Sequence, residues 1–172
     1  MFSEFWLMKN LNGWVFKYLW LDASAIFFAH YLPFILGGVF LLFLLKDFHK
    51  YWWPFLEGVV SLGLAWLLTG AISFLTARPR PFAAGDFQAI LPHAANPAFP
   101  STHAAVFFAL AVVVCFYNKK AGFWFVLGAV LISAARVFCG LHWPSDVLAG
   151  MSLGILIALA VHFLPRKIFR SI

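Results

Sequence analysis

Residues Ala23 to Leu45 read ASAIFFAHYLPFILGGVFLLFLL. The stretch holds no Asp, Glu, Lys or Arg, and it is as long as the roughly 20 apolar residues a helix needs to cross a bilayer core. Four further runs share its apolar character: Trp52 to Leu75, Ser101 to Tyr117, Phe123 to about Phe138, and Ser145 to Leu164. The third and fourth spans are short, which suits helices that end at a buried pocket rather than in water. The expected fold is therefore all-α integral membrane: a bundle of five transmembrane helices in a single domain over residues 1–172.

Composition agrees. The chain is 64% hydrophobic and only 10% charged, against about 25% charged residues in soluble domains. So few charges cannot cover a surface in water, and lipid is the expected solvent. The net charge of +6 then reads first as basic membrane-flanking loops. Nucleic acid is not an expected partner, because no basic stripe is present. Cys115 and Cys139 lie in apolar runs without metal-ligand spacing, and read as buried inert thiols. The N-terminus lacks the basic region, short apolar core and small-residue cleavage site of a secretory signal.

Residues 4–21 differ from the spans. Lys9, Asn10, Asn12, Gly13 and Lys17 are mixed there with Trp6, Trp14, Tyr18 and Trp20. Indole and phenol rings favour the headgroup level, so the segment reads as a helix lying on the bilayer; a sixth, imperfect span is the alternative. The long polar connection, residues 76–100, carries Pro79, Pro81, Pro92, Pro97 and Pro100. Long loops in compact domains are usually functional or disordered.

Loop charges give an orientation. Lys46 and Lys50, Lys119 and Lys120, and the tail with Arg166, Lys167 and Arg170 share one side of a five-span bundle. The positive-inside rule puts that side in the cytoplasm. The loop that contains Asp86 then faces outward, together with the N-terminus.

Three short patterns carry chemistry. The first is Arg78-Pro79-Arg80-Pro81-Phe82, just past the second span. Arginine recognises phosphate oxygens bidentately and keeps its charge. A positive stop at a helix end is the plainer reading, but these arginines fall on the outer side. The second is Pro100-Ser101-Thr102-His103, at the head of the third span. Free N–H groups at a helix N-terminus make an anion site; a capping serine beside an interfacial histidine explains the same residues. The third runs from Arg136 through His142 to Asp146. An Asp four residues after a His can fix its tautomer and leave the other nitrogen free to attack. The helix dipole also accounts for an Asp in a first turn, though not for the Arg and His beside it.

In this order and at these span ends, the three patterns resemble the type 2 phosphatidic acid phosphatase superfamily, whose integral membrane members hydrolyse lipid phosphates and diphosphates. The resemblance covers about Ser73 to Gly150. Arg80-Pro81-Phe82, Ile90 to Ala95 (ILPHAA), Phe99-Pro100-Ser101 and Val137 to Gly150 (VFCGLHWPSDVLAG) are similar to the bacterial undecaprenyl-diphosphate phosphatases of that superfamily. Two positions depart from the usual pattern. Ser73 stands where a lysine is usual, a loss that branch tolerates, and Ala135 stands where serine is common.

The resemblance implies His142 as nucleophile, forming a phosphohistidine, with Asp146 orienting it. It makes His103 the acid for the leaving oxygen and then the activator of water. Arg80, Arg136 and Ser101, the backbone N–H groups around Thr102, and Arg78 in place of the missing lysine would hold the phosphate. Two arginines can serve as the charge clamp, and no Asp/Glu cluster is available for Mg²⁺, so neither cofactor nor metal is expected and activity should survive EDTA. The expected substrate is undecaprenyl diphosphate. Phosphatidylglycerol phosphate, phosphatidic acid and lipid A remain open, as does a non-enzymatic lipid-phosphate-binding or transport subunit. Oligomeric state is not legible. His93 reads as loop architecture, and His30 and Glu57 as interhelical contacts.

Overall fold

The computed structural model describes residues 2–85 and 87–170. Met1, Asp86 and the last two residues lie outside that description. The described chain is all-helical, with no strand. It contains α1 (Phe2–Asn12), α2 (Leu19–Ile26), a π-helical turn (Phe27–Tyr31), α3 (Leu32–Lys46), α4 (Phe48–Thr76), a 3-10 turn (Pro81–Ala84), α5 (Thr102–Tyr117), α6 (Lys119–Phe138) and α7 (Pro144–Arg170).

The segment expected as one helix over 4–21 is split. α1 stops at Asn12, and residues 13–17 form turns. Gly13 weakens the helix there, and Phe16 takes a left-handed φ of 63°. The Phe16 N–H donates to Asp22 Oδ2 at 3.1 Å, so the carboxylate of the next helix fastens the turn. Residues 19–21 join the first apolar rod. That rod changes register at Phe27–Tyr31, just ahead of Pro33, whose ring removes one backbone donor.

Among the described residues, four helical stretches are long and apolar enough to cross a membrane: Leu19–Phe43, Phe48–Ala84, Lys119–Phe138 and Pro144–Leu164. The chain is a multi-pass membrane protein. At 16 residues, α5 falls short of that length. It is instead the centre of the bundle. On one side Leu110, Ala111 and Val114 pack with Leu36, Phe40, Phe125 and Ile132 from α3 and α6. On the other, Ala105, Ala109 and Val113 pack with Ala65 of α4 and with Ile157 and Ala158 of α7. Gly150 and Gly154 let α7 touch the α5 backbone: a Cβ on either would overlap the carbonyl oxygen of Ser101 or Ala105. Large apolar side chains such as Trp66, Phe74 and Leu75 point out of the bundle, as they should where the solvent is hydrocarbon.

Caps set the helix starts. Asp47 accepts from Lys50 N at 3.1 Å, Ser101 from Ala104 N at 3.5 Å and Asn118 from Ala121 N at 3.1 Å. At one end of the bundle, Glu57 ties α4 to α7. It accepts from Trp53 Nε1 at 2.8 Å and lies 2.9 Å from His162 Nδ1. At the other end the long loop folds back over the helices. Its backbone at Gln88 exchanges two hydrogen bonds of 2.8 Å with the side chain of Asn12.

Candidate active site

The loop, the head of α5 and the turn between α6 and α7 enclose a cavity of about 830 Å³. Arg80, His93, Asn96, Thr102, His103, Arg136 and His142 form its polar wall, and among the described residues no carboxylate lines it. Trp66, Leu67, Gly70, Ala71 and Phe74 of α4 form the other wall. The cavity thus joins a strongly basic pole to an apolar face that continues onto the lipid-facing side of α4.

His142 is buried in the α6–α7 turn. Its Nδ1 lies 2.9 Å from the Ala98 carbonyl, and its Nε2 lies 3.2 Å from Arg80 Nη1. A guanidinium can only donate and a carbonyl can only accept. The two contacts therefore assign the proton to Nδ1 and make Nε2 the acceptor of the Arg80 N–H at the cavity wall. Asp146 Oδ2 stands 3.7 Å from the same Nδ1. The nitrogen is thus held by a carbonyl at hydrogen-bond distance and a carboxylate at ion-pair distance. Burial pushes the imidazole down to about 4; Asp146 opposes this, while Arg136 and Arg80 add to it.

Arg80 is held by three further acceptors: Leu141 O at 2.8 Å, and Asn96 O and Oδ1 at 3.0 Å each. Arg136, at the end of α6, places Nη2 3.2 Å from His93 Nε2. Its Nε is buried and has no hydrogen-bond partner. An orphaned buried donor of this kind is costly unless something else meets it, and in a cavity lined by cations an oxyanion would. Burial lowers His93, and the Arg80 and Arg136 charges add to that effect against the Ala94 carbonyl.

Two of the residues expected at the phosphate lie elsewhere. Ser101 is fully buried; its hydroxyl caps α5, its N–H donates to Asp146 O at 2.9 Å, and it does not line the cavity. Arg78 also lies off the cavity. It contacts Asp146 Oδ1 at 2.6 Å, Glu4 Oε1 at 2.8 Å and Ser145 Oγ at 2.8 Å, and its guanidinium covers the Trp143 ring at 5.4 Å. Its charge is met by two carboxylates. Ser73 donates to the Phe99 carbonyl at 3.0 Å, tethering the loop beside the cavity. Sequence reasoning missed Glu4, Asn96 and the Ala98 carbonyl, and took His93 for loop architecture. No local pattern marks the first three. His93, in the ILPHAA stretch between the two arginine motifs, carried some signal.

Among the described residues, no group of three or more His, Cys, Asp or Glu side chains is placed to hold a metal ion. The sequence model of the PAP2 superfamily matches residues 54–170.

The chain belongs to the PAP2 superfamily.

As a PAP2 member it is a lipid phosphatase. It is 27% identical over 153 residues to the "Bacitracin transport permease protein BcrC" of Bacillus licheniformis, covering 88% of this chain and 75% of the relative. It is 32% identical over 102 residues to the "Undecaprenyl-diphosphatase BcrC" of Bacillus subtilis, covering 59% and 51%. The crystal structure of Aquifex aeolicus LpxE superposes with a TM-score of 0.76 at 23% identity, covering 90% of this chain and 92% of that one. That likeness shows a shared fold.

Proposed function

We propose that this PAP2 enzyme removes the terminal phosphate of undecaprenyl diphosphate, yielding undecaprenyl phosphate, at the outer face of the cytoplasmic membrane. One observation supports this most strongly: a single cavity sets two guanidiniums and the unprotonated Nε2 of His142 against an apolar wall from α4. A diphosphate head on a long hydrocarbon tail has that same division. The undecaprenyl-diphosphatase relative supports the choice of lipid.

In the first half-reaction, His142 Nε2 attacks the terminal phosphorus and the bond to the bridging oxygen breaks. His103 protonates the departing lipid monophosphate. Water then attacks the phosphohistidine, His103 takes its proton, and inorganic phosphate leaves with His142 restored. Arg80, Arg136 and backbone N–H groups near Thr102 stabilise the equatorial oxygens. Asp146 and the Ala98 carbonyl fix the tautomer of His142. Five spans, with short α5 counted among them, and the positive-inside rule supply the sidedness. α1 lies along the outer surface and is not a sixth span.

The deciding experiment is phosphate release by the purified full-length protein. Undecaprenyl diphosphate should be the preferred substrate over phosphatidylglycerol phosphate, phosphatidic acid and lipid A, and His142→Ala should abolish turnover. Preference for another lipid would overturn the substrate, and near-normal turnover in His142→Ala would overturn the nucleophile. A transport role, which the name of the first relative carries, predicts no phosphate release at all.

A further inference from the structure

We propose that Glu4, Arg78 and Asp146 form a charge relay in which the N-terminal helix sets how strongly Asp146 acts on His142. Glu4 and Arg78 are positioning residues in this scheme; neither lines the cavity. The inference rests on His142 being the reacting group.

The geometry is continuous. Glu4 Oε1 meets Arg78 Nη2 at 2.8 Å, Arg78 Nη1 meets Asp146 Oδ1 at 2.6 Å, and Asp146 Oδ2 lies 3.7 Å from His142 Nδ1. Ser145 closes a ring around the first pair: its hydroxyl donates to Glu4 Oε2 at 2.6 Å and accepts from Arg78 Nη1 at 2.8 Å. The ring holds Glu4 in its charged form. Partial burial works against ionisation, but the Ser145 hydrogen bond and the Arg78 charge outweigh it and lower Glu4 below the usual carboxylate value. Asp146 is fully buried, so its field is little screened. Both of its oxygens are committed, Oδ1 to Arg78 and Oδ2 to Trp143 N at 2.8 Å.

The consequence for His142 has a definite sign. Arg78 neutralises part of the Asp146 charge and so weakens its support for a positive imidazole ring. Glu4 in turn neutralises part of Arg78 and restores some of that support. A purely structural brace would not act with alternating sign. The other charged or titratable groups facing His142 are Arg80 from the loop, Arg136 from α6 and His103 from α5, and the variants below leave all three in place.

The test is an NMR titration of the full-length protein in detergent, with labelled histidine and the His142 signal assigned by its loss in His142→Ala. In Arg78→Gln the His142 titration should rise by about one pH unit, the scale expected for a nearby opposite charge set free. In Glu4→Gln it should fall. The double variant should follow Arg78→Gln, because Glu4 acts through Arg78, and Arg78→Lys should stay near wild type. Shifts of the same sign in both single variants, or no shift in either, overturn the relay. If Arg78→Gln does not fold, Glu4→Gln decides alone, and the absence of a fall is fatal. The relay and the proposed function fail separately. If the titrations behave as expected but wild-type protein releases no phosphate from any lipid, the relay stands and the phosphatase substrate reading falls.

Discussion

At His142, burial outweighs the adjacent carboxylate. The ring is held down to about 4 against an ordinary value of 6.5, so it is neutral throughout the neutral range, as the proposed nucleophile must be. The limb of kcat/KM that reports protonation of the nucleophile should therefore fall near pH 4; a limb near 6.5 would show that the ring is solvated. Stability shares the sign. The unfolded chain binds the extra proton between those two values, so stability contributed by the neutral ring is present above 6.5 and is lost as pH falls toward 4. The residues of this neighbourhood were legible because Arg80, His103, Arg136 and His142 each abut an apolar run, and ionisable groups at such edges stand out. Glu4 was not, because its contact with Arg78 spans 74 residues, and no periodicity records which end of a bundle a surface helix meets. Arg78 reads in sequence like Arg80, two positions away. Only the fold separates them, turning one into the cavity and the other toward two carboxylates.

Among the elements, α5 and α7 matter most to the site. Their backbones touch at Gly150 and Gly154, and the Ser101 N–H bonded to the Asp146 carbonyl joins the head of one to the first turn of the other. Gly154→Leu should force the two apart, at a cost typical of overpacking, about 1–3 kcal/mol. It should lower both the thermal midpoint in detergent and the rate. Gly63→Leu is the control: a Cβ at Gly63 meets nothing within 4 Å, so both measurements should stay near wild type. Equal effects from the two would mean that the close α5–α7 contact is unimportant. The apolar runs were readable by length and hydropathy. The start of the first rod was not, because the turn at residues 13–17 depends on Asp22 reaching back to Phe16, a side-chain contact that competes with helix continuity.

For the whole molecule, sidedness is the largest open arrangement with a direct measurement. The outer location proposed for the loop predicts that Ala95→Cys, in a chain with Cys115 and Cys139 replaced, reacts with an impermeant thiol reagent on intact cells. Labelling only after permeabilisation would reverse the orientation and, with it, the membrane face on which phosphate is released. The apolar wall of the cavity has a different consequence, for kinetics. Trp66, Leu67, Gly70 and Phe74 line the cavity, and Trp66, Leu67 and Phe74 are exposed on the outside of the bundle; under the proposed function a lipid substrate arrives along them without crossing water. Its encounter with the enzyme is diffusion in two dimensions, and the concentration that governs saturation is a mole fraction in the film. Adding inert lipid at constant bulk substrate dilutes that film, and the rate should fall with it.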